Sequence, residues 1–229
     1  MREVALDTET TGLDPETGDR IVEIACVEMI NHQATENVYH AYVNPLRDMP
    51  EEARRIHGLT AEFLSDKPLF DEIADEFLKF IGDAPLVIHN AAFDIKFLNM
   101  ELRRAGLKPL PYERAIDTLR IAQGKFPGAR VNLDALCQRF GIDNTHRTLH
   151  GALLDTRLLA EVYLELCGGR EPGLAFLGAG AEKSETGPAR VSLDRPFREP
   201  RPHSPTPEET QAFETFLDTL KNPIWRRDA

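Results

Sequence analysis

The fold is decided by residues 20–45, RIVEIACVEMINHQATENVYHAYVNP, because two long segments of strand-forming residues follow each other directly in this stretch. Residues 20–30 and 37–45 are rich in β-branched and aromatic side chains and partly alternate between apolar and polar positions, which predicts two strands with a short connection. A shorter apolar segment, residues 4–6, precedes them. Three successive strands of this kind predict an antiparallel meander.

After the meander, the hydrophobic period becomes that of helices separated by short strands. Apolar residues recur at helical spacing in residues 70–81, and the segment PLVIHN then predicts a buried strand before a helix capped by Asn90. Residues 114–122 predict a strand-to-helix unit, Asn132 caps a further short helix, and residues 151–167 form a strongly apolar helix. This order predicts an α/β domain with a mixed sheet.

The sequence predicts one domain followed by a tail. We assign residues 1–169 to the domain, 170–205 to a flexible linker and 206–229 to a C-terminal segment that forms a short helix. Residues 171–205 contain six prolines and no apolar period, which is typical of a linker.

The tail helix begins with a capping-box pattern at Thr206, Pro207 and Glu209. It carries one apolar stripe, formed by Ala212, Phe213, Phe216, Leu217 and Leu220. Because an isolated helix of this length is marginal in water, the stripe either folds back on the domain or docks on a partner.

Composition limits the classes of function. The net charge of −11 argues against a general basic surface for nucleic acid, but it allows a small acidic site that meets phosphates through cations. The three cysteines, Cys26, Cys137 and Cys167, lack the spacing of a disulfide framework or a zinc site. No apolar run approaches the roughly 18 residues of a membrane span, so we predict a cytoplasmic protein without a membrane contact.

Three carboxylates occupy positions that have two interpretations, one of which is metal binding. Asp7 and Glu9 are two positions apart on the first strand and point to the same face, so they either converge on one cation or simply mark a turn. Asp94, in the first turn of a helix, either stabilises the helix dipole or faces a ligand beyond the end of a strand.

A fourth carboxylate, Asp155, lies among leucines on the most apolar helix and therefore needs a partner charge. That charge is either an arginine such as Arg157 or a metal ion shared with Asp7. His150 precedes this helix and is either a capping or surface residue or, beside a metal at Asp155, a base that accepts a proton from water near neutral pH.

The segments LDTETTGL, IHNAAFDIKF and RTLHGALLD resemble, in order, the three motifs of the DEDDh family of 3′-to-5′ exonucleases. The similarity spans residues 3–169 and is nearest to the proofreading subunits of bacterial replicative DNA polymerases. It implies a ribonuclease-H-like fold with a five-stranded mixed sheet flanked by helices. It also implies two divalent cations, Mg²⁺ or Mn²⁺, held by Asp7, Glu9, Asp94 and Asp155, with His150 as the catalytic general base.

The resemblance further implies that the substrate is the 3′ end of DNA, single-stranded or frayed. The residues that it assigns to the terminal nucleotide are Glu9, Thr10, Gly12, Leu13, Glu52, His57 and Phe93. A mismatched terminus frays at lower cost than a paired one, which favours the removal of mispaired nucleotides. The alternatives are a DEDDh exoribonuclease that trims RNA or short oligonucleotides and a structural adaptor with a vestigial site.

The resemblance also implies partners for the tail. The segment EPGLAF, residues 171–176, matches the apolar anchors of a sliding-clamp motif at Leu174 and Phe176, although a Glu stands where a Gln is expected. It is either a clamp-binding segment or the start of a linker. The polymerase catalytic (alpha) subunit is the partner predicted for the terminal helix, through Phe213, Phe216, Leu217, Leu220 and Trp225. A small accessory subunit on the exonuclease domain is a further predicted partner.

Overall fold

The structure is a computed structural model that describes residues 1–147, 149–169 and 204–221. The chain divides into two units, Met1–Leu177 and Gly178–Ala229. Three of the predicted partner-binding residues, Leu174, Phe176 and Trp225, lie outside the described residues.

The described part of the first unit contains one mixed sheet. Its strands are β1 (Arg2–Thr10), β2 (Ile21–Ile30), β3 (Gln33–Tyr42), β4 (Leu86–Ile88) and β5 (Ala115–Asp117). Their spatial order is β3-β2-β1-β4-β5, with β1, β2 and β3 antiparallel and β4 parallel to both β1 and β5. The predicted meander, the α/β class and the five-stranded mixed sheet are confirmed.

Seven α-helices accompany the sheet in the described part of this unit. They are α1 (Glu51–His57), α2 (Ala61–Leu64), α3 (Phe70–Ile81), α4 (Ala91–Arg104), α5 (Thr118–Lys125), α6 (Leu133–Phe140) and α7 (Ala152–Leu166). Two short 3₁₀ helices, Pro15–Thr17 and Tyr112–Arg114, lie in the connections. Among the described residues, no helix combines the length and the apolar character needed to cross a membrane.

Of the two asparagine helix caps predicted from the sequence, the structure contains one and lacks the other. The Asn132 side chain accepts a hydrogen bond from the Ala135 N–H at 3.0 Å, as predicted for the start of α6. The predicted cap at Asn90 is wrong, because its side chain makes no capping hydrogen bond to α4. Its φ of 71° is left-handed, whereas a capping side chain needs an extended backbone. The Asn90 N–H instead donates to Asp117 Oδ1 at 3.2 Å.

The sheet is buried between two sets of helices. Leu6 on β1 packs with Phe77 of α3 and Phe97 of α4 in one apolar cluster. The next residue back along the strand, Ala5, faces the other side and packs in a second cluster with Tyr163 of α7. Because α7 packs against both β1 and β2, its N-terminal end is brought to the carboxyl end of β1.

In the second unit, residues 204–221 contain helix α8 (Pro207–Thr219). The predicted capping box is confirmed, since Thr206 Oγ1 accepts from the Glu209 N–H at 3.2 Å and Glu209 Oε2 accepts from the Thr206 N–H at 2.8 Å. Of the predicted apolar contacts on this helix segment, Phe213, Phe216 and Leu220 are exposed, whereas Leu217 is buried.

Candidate active site

A cavity of about 320 Å³ lies where the carboxyl end of β1 meets the first turns of α4 and α7. It is lined by all five residues predicted for metal binding and catalysis, namely Asp7, Glu9, Asp94, His150 and Asp155. Ligand atoms of Glu9, His150 and Asp155 lie within 4.8 Å of one another. The structure thus brings together residues that are almost 150 positions apart in sequence, the separation from Asp7 to Asp155.

Thr8 joins the first turn of α4 to the end of β1. Its backbone N–H donates to Asp94 Oδ1 at 3.1 Å, and its hydroxyl donates to the same oxygen at 2.7 Å. Asp94 is 3% exposed, so these two hydrogen bonds hold a buried carboxylate in a defined orientation.

The segment that carries His150 is held against α1, an element that the sequence did not connect to it. The His150 N–H donates to the Ile56 carbonyl of α1 at 3.0 Å. Gly58, which ends α1, has a φ of 77°, and a Cβ there would lie 2.7 Å from Leu149 Cδ1. Only glycine combines this backbone conformation with so close an approach of the His150 segment.

Glu23 on β2 holds the beginning of α7 and was missed from the sequence. It is 3% exposed, and its Oε2 accepts from the Ala152 N–H at 3.2 Å. Its other oxygen, Oε1, lies 2.7 Å from His40 Nε2. The carboxylate therefore caps the N-terminus of α7 from a neighbouring strand, where the helix dipole favours a negative charge. The available signal was an acid in the middle of an apolar strand.

Asp155 has an arginine partner, but it is Arg147 and not the suggested Arg157. Arg147 donates from Nε to Asp155 Oδ1 at 2.5 Å and from Nη2 to Asp155 Oδ2 at 2.8 Å. Arg157 is exposed, because residues two positions apart on a helix do not share a face. Arg147 itself lies in the RTLHGALLD segment, so a search for basic residues before the helix would have found it.

The carboxylates destabilise one another's charged forms. Burial, followed by repulsion from Asp155, Glu23 and Asp94, raises the pKa of Glu9 to about 8. Burial raises the pKa of Asp94 to about 7, against the opposing effect of the hydrogen bonds from Thr8. For Asp7, burial and then the charges of Asp94 and Glu9 raise the pKa well above its usual range.

This donor set fits divalent cations. Carboxylate oxygens are the ligands preferred by Mg²⁺ and Mn²⁺, and four carboxylates in one cavity supply them. A cation would also favour the ionised forms, which burial and mutual repulsion otherwise oppose. The raised pKa values of Asp7, Glu9 and Asp94 are therefore the electrostatic property expected of a cation site.

A second cavity, of about 270 Å³, adjoins the first and shares Thr8, Glu9 and Phe93 with it. It is lined by every residue predicted for the terminal nucleotide: Glu9, Thr10, Gly12, Leu13, Glu52, His57 and Phe93. Gly12 allows the loop to close, because a Cβ at this position would overlap the Asp19 carboxylate.

His57 lines this second cavity with a ring that is held by a neighbouring backbone N–H. Its Nδ1 accepts from the Leu59 N–H at 3.0 Å, and burial lowers its pKa, so the neutral ring carries its proton on Nε2. Nε2 is buried beside the Thr10 backbone, and a hydrogen bond to that backbone opposes the effect of burial on the pKa of the ring.

A mixed five-stranded sheet with four carboxylates and a histidine at the end of its first strand is the arrangement of ribonuclease-H-like nucleases. The model of the RNase T family, described as exonuclease, matches residues 4–163. The chain belongs to this exonuclease family.

Curated relatives match almost the whole chain. DNA polymerase III subunit epsilon of Rickettsia felis is 52% identical over 223 residues, which cover 96% of this chain and 97% of that protein. The subunit of the same name from Escherichia coli K12 is 44% identical over 237 residues, covering 98% and 97%.

Solved exonuclease structures share the fold. Exonuclease X, in complex with 5′ overhanging duplex DNA, is 28% identical with a TM-score of 0.56, and the match covers 71% of this chain and 89% of that one. The nuclease domain of 3′hExo, a DEDDh family member bound to rAMP, has a TM-score of 0.61 over 72% of this chain and 91% of that one. Its identity is 21%, so it supports the fold alone.

Proposed function

We propose that this chain is a 3′-to-5′ proofreading exonuclease that removes mispaired 3′-terminal nucleotides from DNA as a subunit of a replicative DNA polymerase. The observation that carries the proposal is the cavity lined by Asp7, Glu9, Asp94, His150 and Asp155. The similarity of nearly the whole chain to DNA polymerase III epsilon subunits supports the assignment to replication.

In this proposal Asp7, Glu9, Asp94 and Asp155 hold two divalent cations, which supply an activated water and charge neutralisation for hydrolysis of a phosphodiester. His150 is about half exposed at the cavity, with a side-chain exposure of 49%. This exposure allows its imidazole to accept the proton of the attacking water and to pass it to solvent.

The second cavity accounts for action at an end. In this proposal it takes one unstacked nucleotide, with Phe93 at the boundary between the two cavities and His57 on its wall. Entry of a terminal nucleotide requires fraying, which costs less when the terminal base is mismatched. Preference for errors then needs no contact that identifies a base.

The substrate experiment uses the full chain with Mg²⁺ or Mn²⁺ and four 3′-labelled substrates: single-stranded DNA, matched duplex, duplex with a terminal mismatch, and RNA. We expect release of the labelled 3′ mononucleotide, about tenfold faster from the mismatched duplex than from the matched one. A fraying difference of about 1.4 kcal/mol corresponds to this factor.

Labelling the 5′ end of the same strands is the control for polarity, since it reveals a ladder only if nucleotides leave from the 3′ end. A preference for RNA over mismatched DNA would contradict the proposal and support the exoribonuclease alternative.

We further propose that residues 206–229 dock on the polymerase catalytic subunit. The exposed Phe213 and Phe216 on the capped helix α8 support this role, since aromatic side chains are typical anchors of interfaces. A contact of Leu174 and Phe176 with a sliding clamp and binding of a small accessory subunit stay predictions.

Deleting residues 206–229 is expected to preserve hydrolysis of single-stranded DNA and to abolish co-elution with the polymerase catalytic subunit. The double variant Phe213→Asp, Phe216→Asp should have the same effect, because it replaces the aromatic anchors by charges. Gln211→Ala, exposed on the same helix, is the matched control and should co-elute normally. Persistent co-elution of both the deletion and the double variant would contradict the tail assignment.

A further inference from the structure

Arg147 is a partly buried cation in the middle of the candidate active site. Its side chain is only 8% exposed, and it lines the same cavity as the four carboxylates. Nη1 donates to both oxygens of Asp134 at 2.8 and 2.9 Å, while Nε and Nη2 are directed at Asp155. One guanidinium thus joins the first turn of α6 to the first turn of α7.

The pairing with Asp155 uses both carboxylate oxygens, at 2.5 and 2.8 Å. A bidentate pair of this kind is among the strongest and most directional contacts of a carboxylate. A cation that takes Asp155 as a ligand must therefore compete with the guanidinium for the same oxygens.

Arg147 also engages the candidate base. Its Nη2 lies 2.9 Å from His150 Nδ1, and because an arginine can only donate, Nδ1 is the acceptor. This contact fixes the orientation of the imidazole ring beside Asp155, whose Oδ2 lies 3.6 Å from the same nitrogen.

Asp134 offers the guanidinium a second position. It lies on α6, its side chain is 51% exposed, and it is outside the set of five residues assigned to metal binding and catalysis. Arg147 can therefore withdraw from Asp155 and His150 while it keeps an ion pair, which avoids leaving a buried charge unpaired.

We propose that Arg147 is a positioning residue that acts as an internal counter-ion: it holds Asp155 and His150 in place and is displaced toward Asp134 when divalent cations bind. The inference rests on the proposed function in one respect, the binding of divalent cations at this cavity.

The test compares four full-length proteins: wild type, Arg147→Gln, Arg147→Lys and Arg157→Gln. Arg157 is exposed and lies two positions after Asp155. Arg157→Gln therefore removes the same charge as Arg147→Gln at a nearby position, but it removes no bidentate contact with Asp155. Mn²⁺ affinity is measured by isothermal titration calorimetry, and thermal unfolding is measured in excess EDTA. Neither measurement depends on nuclease activity.

We expect Mn²⁺ to bind Arg147→Gln about tenfold more tightly than wild type, because the competitor is removed. Arg147→Lys keeps the charge but loses the two-pronged contact, so its affinity should lie between the two. In EDTA the Tm should follow the reverse order, with Arg147→Gln lower than wild type by about 5 °C or more. Arg157→Gln should match wild type in both measurements.

The proposal would be overturned if Arg147→Lys bound Mn²⁺ no more tightly than wild type does. The positive charge alone, acting at long range, would then explain the effect of Arg147 on Mn²⁺ affinity. Weaker Mn²⁺ binding by Arg147→Gln would overturn it too, because Arg147 would then support Asp155 as a ligand. Absence of Mn²⁺ binding by wild type would instead refute the metal site of the proposed function, so the two failures are distinguishable.

Discussion

Replacement of Asp7 by asparagine is expected to lower the rate of 3′-nucleotide removal by about 1,000-fold or more, while the protein in EDTA unfolds at the wild-type temperature or above it. The loss in rate corresponds to about 4 kcal/mol in the barrier, which is the size expected if Asp7 is a charged ligand of the proposed cations. The effect on stability follows from the raised pKa of Asp7, caused by burial and then by Asp94 and Glu9. Asparagine has nearly the same shape and removes the repelled charge.

Asp155→Asn is the informative comparison for this experiment. It should lose activity as well, but it also leaves the buried Arg147 guanidinium without its bidentate partner. Arg147 keeps its ion pair with Asp134, so this variant should lose about 1–3 kcal/mol through weakened hydrogen bonds and unfold at a lower temperature than Asp7→Asn. Single-turnover rates on single-stranded DNA and thermal unfolding in EDTA measure both effects. Retained activity in Asp7→Asn would contradict the metal role of Asp7.

In EDTA, the protein is expected to lose stability as the pH rises from about 4 to about 8. The folded-state pKa is about 8 for Glu9 and about 7 for Asp94, both above the ordinary values of 4.5 and 3.8. The folded protein therefore binds more protons than the unfolded chain throughout this range, and its stability falls with pH by up to about 1.4 kcal/mol per unit for each group. Above about pH 9 both groups are ionised in the folded protein and contribute no further change.

Saturating Mg²⁺ should oppose this loss, because cations bind the ionised carboxylates and stabilise only the folded protein. The increase in Tm caused by Mg²⁺ should accordingly be larger at pH 8 than at pH 5. The variant Glu9→Gln provides the control, since it removes one of the titrating groups and should flatten the profile in EDTA. A profile in EDTA that rises between pH 5 and pH 8 would contradict the destabilisation of these ionised carboxylates by burial.

The parts of the structure that were predictable depend on local signals. Helix α3 has the predicted bounds, because its apolar period and the following glycine are both properties of neighbouring residues. The capping box of α8 is equally local, since Thr206 and Glu209 satisfy each other's backbone. Asn90 shows the limit of this approach: its residue type favours a cap, but a left-handed backbone prevents its side chain from capping α4.

The sequence by itself determined the α/β class and the meander, and its ordered motifs pointed to five of the residues that line the candidate active-site cavity, because strand and helix periods and motifs are encoded along the chain. Only the tertiary structure decided which charges meet. Arg147 rather than Arg157 neutralises Asp155, and Glu23 caps α7 from another strand. These contacts depend on how α7 lies across β1 and β2 and on the bend of the segment before α7. An ion pair forms only when the two charged groups are placed to within a few ångströms, and sequence spacing does not provide that accuracy.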